Sequence, residues 1–393
     1  MHISTLATPP PNTAPAMQVP LLAPNPPRLS TLGPELEEIE QSGMFSNFGP
    51  VNMKFETEII ARMFHGTGTC LAVANATLGL MLAVRQAIGW QPRGRYALMP
   101  SFTFTATAQA AIWCGLTPLF CDIDRETWLP DAASEEALLH RYGSDIAVLL
   151  PNATYGNCLD LARYERLSLA TGIPLVIDAA AGLGSMRLDG EAFGHGSTSP
   201  LVYSMHATKC FATGEGGLIY CDDTARITEL RRMAGFGLDA AKLTVMPGLN
   251  AKLSEVAALQ ALAKLREIDA VARHRGAMQR LYEELLPGFT FQRLTGQRSG
   301  LQFASVLLPA ALAPRRAAIL AAMARHGIGA GHYFSPHLAE HPFFKETTAT
   351  GGLAVTQEIS RRMVSLPLSD TLTAAQVREV CAVFLRACGD DDA

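Results

Sequence analysis

From Tyr96 to Asp124 the chain reads YALMPSFTFTATAQAAIWCGLTPLFCDID, two short apolar runs flanking a segment of small residues. Tyr96–Met99 and Thr117–Asp122 suit strands, and Thr105 to Cys114 suits a helix, so the segment is a βαβ unit. A helical crossover of this kind makes its two strands parallel. The alternation continues through IAVLLPNATYGN (146–157) and IPLVIDAAAGLGS (173–185). Ile173–Ile177 is apolar throughout, as a strand covered on both faces must be. An α/β fold on a mostly parallel sheet is expected, with ligands gathered at the carboxyl ends of its strands.

At 393 residues, 48% of them hydrophobic, the chain has enough apolar surface for a second, smaller core. The expected division is a proline-rich arm over 1–28, extended and partly disordered, a large domain over 29–265 and a small C-terminal domain over 266–393. A net charge of -4, with lysines and arginines scattered, gives no basic field and excludes nucleic acid as the main partner. The eight cysteines adjoin apolar residues and include no CxxC pair, the pattern of buried thiols in a reducing compartment rather than of disulfides or zinc ligands. No apolar run reaches membrane-spanning length and the N-terminus lacks the pattern of a signal peptide. A cytoplasmic location without a membrane partner is expected.

Four features stand at or beside strand ends. Asn75-Ala76-Thr77 opens a helix after the apolar run at Cys70, offering backbone N–H groups to a phosphate, although an Asn or Thr at a helix start is more often an ordinary N-cap. Phe102 and Phe104 follow the strand at 96–99, where one of them can stack on a flat ring or pack in the core. Asp178 ends the strand Ile173–Ile177, a place for a carboxylate against a pyridinium nitrogen or for a helix cap. Lys209 lies in SMHATKCFATGEGG among Met205, Ala207, Cys210 and Phe211. Apolar surroundings lower an amine's pKa and suit Schiff-base chemistry; the alternative is a lysine snorkelling from a strand end. Taken together, and in this chain order, the four are the contacts that pyridoxal 5'-phosphate (PLP) requires.

Longer motifs point the same way. FSNFGP, ANATLGL, PSFTFTATAQA, the Asp-Ala-Ala of IDAAAGLG, SMHATKCFATGEGG, PGLNAKLSEVAALQALAKL and SLPLSDTLTAAQV are spread from about Leu32 to Phe384. In these the chain resembles the DegT/DnrJ/StrS family of sugar aminotransferases, PLP enzymes of the aspartate-aminotransferase fold, type I. The resemblance implies a large domain whose mixed, mostly parallel sheet is sandwiched by helices, and a smaller C-terminal α+β domain. It implies that Lys209 is catalytic and bonds the cofactor, that Asp178 pairs with the ring nitrogen and that Phe104 is the stacking ring. By the same resemblance Asn75, Ala76 and Thr77 lie at the phosphate end, Ser204 binds phosphate, and Asn250 reaches the phosphate of a neighbouring subunit. A homodimer with shared active sites follows. Phe48, Tyr155 and His337 are expected at the substrate.

Two positions depart from the family pattern. Ala181 stands where a glutamine usually meets the cofactor's ring hydroxyl, and Ala153 and Thr154 stand in NATYG where a histidine is usual. Lys209 separates the chain from related dehydratases, which carry histidine there. His332, His337 and His341 have no acidic companion and are interrupted by Pro336 and Pro342, so no metal is expected. The activity implied is transfer of an amino group from an amino acid, L-glutamate, to a keto-deoxysugar nucleotide in amino-sugar and polysaccharide biosynthesis. A non-nucleotide cyclic ketone is the alternative acceptor, and a non-catalytic PLP- or sugar-binding sensor the alternative class.

Overall fold

Seven strands carry the large domain: β1 (Thr69–Val73), β2 (Tyr96–Pro100), β3 (Thr117–Cys121), β4 (Ile146–Leu149), β5 (Ile177–Asp178), β6 (Leu201–Ser204) and β7 (Gly217–Cys221). They belong to a computed structural model that describes residues 17–389. The order β1-β7-β6-β5 forms one ladder and β3-β2-β4 another. Parallel bridges at Leu149↔Leu175 and Asn152↔Asp178 link β4 to the β5 side. Every neighbouring pair is parallel except at β7, which runs antiparallel to both β1 and β6. The carboxyl ends of β1, β6 and β5 therefore share one rim.

Four further strands follow: β8 (Thr290–Phe291), β9 (Ala304–Leu307), β10 (Ala349–Thr350) and β11 (Met363–Leu366). β11-β9-β8 is a small antiparallel sheet with its own core of Val306, Val364, Val380 and Phe384. β10 instead pairs in parallel with β3 at the edge of the large sheet. Leu338, Phe344 and Leu353 accompany it into the core around Phe120, because that edge strand is apolar and needs cover.

The expected boundary at 265 falls inside a helix. Glu255–Leu285 is one helix of 31 residues, capped by Ser254, whose side chain accepts from Ala257 N. Its first turns bury Ala258, Ala261 and Leu265 against the large core, and Tyr282 near its end enters the small one. Of the proline-rich arm, residues 1–16 lie outside those described. Residues 17–28 are extended yet well anchored: Val19 is buried and exchanges backbone hydrogen bonds with Gly327 and Gly329, while Pro27 and Asn25 accept from Gln260 and Lys264. Proline removes a donor but leaves its carbonyl, and that carbonyl suffices for such docking. Among the described residues no helix is long and apolar enough to cross a membrane, no cluster of metal-ligating side chains is found, and all eight cysteines are unpaired.

Candidate active site

The rim formed by β1, β6 and β5 gathers residues from distant parts of the chain. Asn75 caps the helix Ala76–Ile88, its Oδ1 accepting from Leu78 N at 2.9 Å. That leaves Ala76 and Thr77 in the first turn, where backbone N–H groups have no carbonyl of their own helix to reach. Gly217 opens β7 and pairs with both Val73 and Ser204. A Cβ on Gly217 would stand 2.7 Å from Ala76 N and 2.8 Å from the Asn75 carbonyl carbon, so only glycine lets the helix start pack this closely on the sheet. Ser204 accepts from His206 N at 3.2 Å, and its own hydroxyl proton has no acceptor among the described residues. Amides at a helix N-terminus beside an available hydroxyl form a donor set for a phosphate.

Asp178 is 2% exposed at the end of β5. Thr107 donates its hydroxyl to Oδ2 at 2.5 Å and Ala180 its N–H to Oδ1 at 3.0 Å. Burial nevertheless pushes the carboxyl above its ordinary value, against the lowering effect of those two bonds and of nearby Lys209. A buried carboxylate in that condition is ready for a cationic N–H donor such as a pyridinium.

The two phenylalanines divide their roles. Phe102 is fully buried, edge-on to Trp128, Tyr155 and Phe334. Phe104, the N-cap of the helix Thr105–Trp113, is 54% exposed and lines a cavity of about 460 Å³ together with Leu21, Thr103 and the loop from Gly331 to Pro336. Thr107 sits three residues along from Phe104, one helical turn away, so a single helix start supplies both the open ring and a donor to Asp178.

Lys209 is half-buried in the loop between β6 and β7. Its Nζ donates to Gln302 Oε1 at 2.9 Å. Burial lowers the amine from 10.5 to about 8, with Asp178 opposing the shift. At pH 7 roughly one molecule in ten then carries the neutral amine, against fewer than about one in a thousand for an ordinary lysine.

The remaining expected residues lie elsewhere. Tyr155 is buried, stacked on Phe334 with ring centroids 5.2 Å apart, and its hydroxyl donates to the Tyr333 carbonyl, so it supports the loop from behind. His337 is 1% exposed and is not part of the cavity wall. Its Nδ1 pairs with Ser101 Oγ at 2.8 Å, and burial holds its pKa below the usual value; the loop's histidines on the cavity are His332 and His341. Phe48 lines a different cavity of about 610 Å³, under the guanidinium of Arg231 and near Phe236, Lys242 and Lys252. Exposed Asn250 is next to it, accepting from Lys252 Nζ at 2.5 Å. At Ala181 the backbone is tightly enclosed: a Cβ on Gly156 or Gly300 would come within 2.6 or 2.5 Å of its carbonyl oxygen. Thr154 is buried with its hydroxyl unpartnered.

Two residues of this site were not anticipated. Thr107 carried a local signal, its one-turn spacing from Phe104. Gln302 carried none, being 93 residues from Lys209 in sequence.

The donors, the carboxylate, the open ring and the lowered amine fit PLP. Residues 31–385 match the profile of the DegT/DnrJ/EryC1/StrS aminotransferase family. The chain is 35% identical to the protein Rv3402c of Mycobacterium tuberculosis, over 94% of this chain and 90% of that one. It is 29% identical to a dTDP-4-amino-4,6-dideoxy-D-glucose transaminase of Shigella dysenteriae, over 89% of this chain and 94% of the relative. Among solved structures, DesI in the presence of its TDP-sugar product is similar with a TM-score of 0.84 and 28% identity, covering 95% of both chains.

Proposed function

The chain belongs to the DegT/DnrJ/EryC1/StrS aminotransferase family and is a PLP-dependent aminotransferase of fold type I, and from that premise we propose that it moves an amino group from L-glutamate to the keto carbon of a nucleotide-linked deoxysugar. The observation that carries this reading is the lowered amine of Lys209 held at the same strand-end rim as buried Asp178. The transaminase activity named for the Shigella relative supports a nucleotide-sugar product.

When bound, PLP supplies an aldehyde that bonds amines and a ring that draws electrons from the adjoining carbon. Ala76, Thr77 and Ser204 would hold its phosphate, Asp178 would keep a proton on the ring nitrogen, and Phe104 would cover one ring face. Lys209 would be the residue that holds the group covalently. Once released, its Nζ takes a proton from the amino acid's Cα and returns one on the other side of the transfer, as base and then acid.

Purified protein incubated with L-glutamate and a panel of keto-deoxysugar nucleotides should yield an aminated sugar by mass spectrometry. Amination of a non-nucleotide cyclic ketone alone would transfer the assignment to that acceptor class. A change in cofactor absorbance with no aminated product from any acceptor would favour a sensor.

The same reading makes the protein a cytoplasmic homodimer in which exposed Asn250 faces the neighbour's phosphate group. Asn250→Ala should retain the fold yet weaken PLP retention about tenfold, the loss of roughly one charge-assisted hydrogen bond. A wild-type monomer with full activity in sedimentation would exclude the shared site.

A further inference from the structure

The polar contacts of Lys209 lead away from the cofactor rim. Nζ donates to Gln302 Oε1, and Gln302 Nε2 donates to Thr208 Oγ1 at 3.1 Å. Thr208 approaches His206 Nδ1 with both its hydroxyl, at 2.9 Å, and its backbone N–H, at 3.3 Å. A backbone N–H can only donate, so Nδ1 is an acceptor and the Thr208 hydroxyl proton also points to it. The hydroxyl's lone pair is then left for the Gln302 N–H, which turns the Gln302 carbonyl to Lys209. His206 carries its proton on Nε2, 3.7 Å from Glu215. One arrangement satisfies every member of the chain. The other charged group acting on Lys209 is Asp178.

Gln302 reaches this chain from outside the large sheet. It stands two residues before β9 of the small sheet, whereas His206, Thr208 and Lys209 belong to the loop between β6 and β7. An amide neither gains nor loses protons in the working pH range, so it cannot replace the lysine as base. What it supplies is direction, because an amine that gives one N–H to a fixed acceptor loses rotational freedom about its last bond.

We propose that Gln302 is a positioning residue that holds the Lys209 amine whenever it is not bonded to cofactor, its own amide locked by Thr208 and His206. The small domain thereby sets where the lysine rests between its two proton transfers. This rests on the role given to Lys209 above.

The test frees the lysine without relying on any donor. Holoenzyme is treated with hydroxylamine, which captures the cofactor's aldehyde, and desalted; acylation of Lys209 by acetic anhydride is then followed against pH by mass spectrometry of its peptide. Gln302→Leu removes an acceptor that favours the ammonium and should lower the midpoint by about half a unit, while Gln302→Glu should raise it by about one unit or more. Thr208→Val, which releases the Gln302 amide, should lower kcat about tenfold with the donor KM unchanged, and Thr208→Ser should behave as wild type.

Unmoved midpoints in both Gln302 variants overturn the proposal. If those variants fail to fold, equal kcat for the Val and Ser forms of Thr208 overturns it instead. Borohydride reduction of wild-type holoenzyme separates the two readings: a label on another lysine removes the premise, while a label on Lys209 upholds the premise, and the variants then decide the role of Gln302.

Discussion

Lys209→Arg is expected to fold and yet lose amino transfer by about 10³-fold or more, because a guanidinium can neither bond the cofactor's aldehyde nor accept a proton near neutral pH. Phosphate, ring and ring-nitrogen contacts would persist through Ala76, Thr77, Ser204, Phe104 and Asp178, so the variant should still bind PLP without covalent attachment. Borohydride applied to the wild type should fix the cofactor on the peptide containing Lys209. The lowered amine, at about 8, also fixes the pH dependence. Only the neutral form is a base, so the donor half-reaction should accelerate as pH rises towards and through about 8 and then level off. Folding follows the same sign: for a lysine whose folded value lies below the unfolded one, the native state binds fewer protons, and with the lysine free of cofactor stability should rise between about pH 8 and 10.4. A label on Lys242 or Lys252, or an arginine variant retaining a tenth of the wild-type rate, would end the assignment.

The second large effect concerns stability, at the junction between the long helix and the small domain. Lys264 Nζ and Arg275 Nη2 both meet the Asp370 carboxylate at 2.6 Å, and the three side chains are 0%, 4% and 3% exposed. Two cations thus share one buried anion, with Lys264 also donating to the Asn25 carbonyl of the arm and Arg275 to the Leu301 carbonyl. Removing the shared partner leaves both charges uncompensated. Asp370→Ala should cost about 3–5 kcal/mol, read as a lower midpoint in denaturant. Exchanging all three for apolar residues of similar size should recover much of that loss, since the expense lies in orphaned charge rather than in the missing attraction. Burial alone would raise the Asp370 pKa, but Arg275 and Lys264 outweigh it and hold the carboxyl below its usual value. Its stabilisation is therefore complete above about pH 4 and lost as pH falls through the lowered value. A variant as stable as wild type would show that water already reaches the cluster.

Local order was open to reading because its causes are local. Continuous apolar runs, a segment of small residues between them and an Asn cap depend on neighbours a few positions away, so the parallel strands, the helix at Thr105 and the emergence of Asp178 from a strand end follow from the chain's own spelling. The apolar neighbours of Lys209 likewise foretold a lowered amine. Tertiary packing decided whatever depends on remote partners. It chose Phe104 over Phe102 for exposure by burying the latter against Trp128, turned His337 inward to Ser101, and carried one helix across the expected boundary at 265, its two halves covering different cores. It also anchored the arm, with Val19 bonded to Gly327 and Gly329 and with Asn25 and Pro27 bonded to the long helix. Gln302 is the clearest case, for a side chain 93 residues distant acquires its partner only when the small sheet packs beside the loop between β6 and β7, and no pattern in the intervening sequence records that approach.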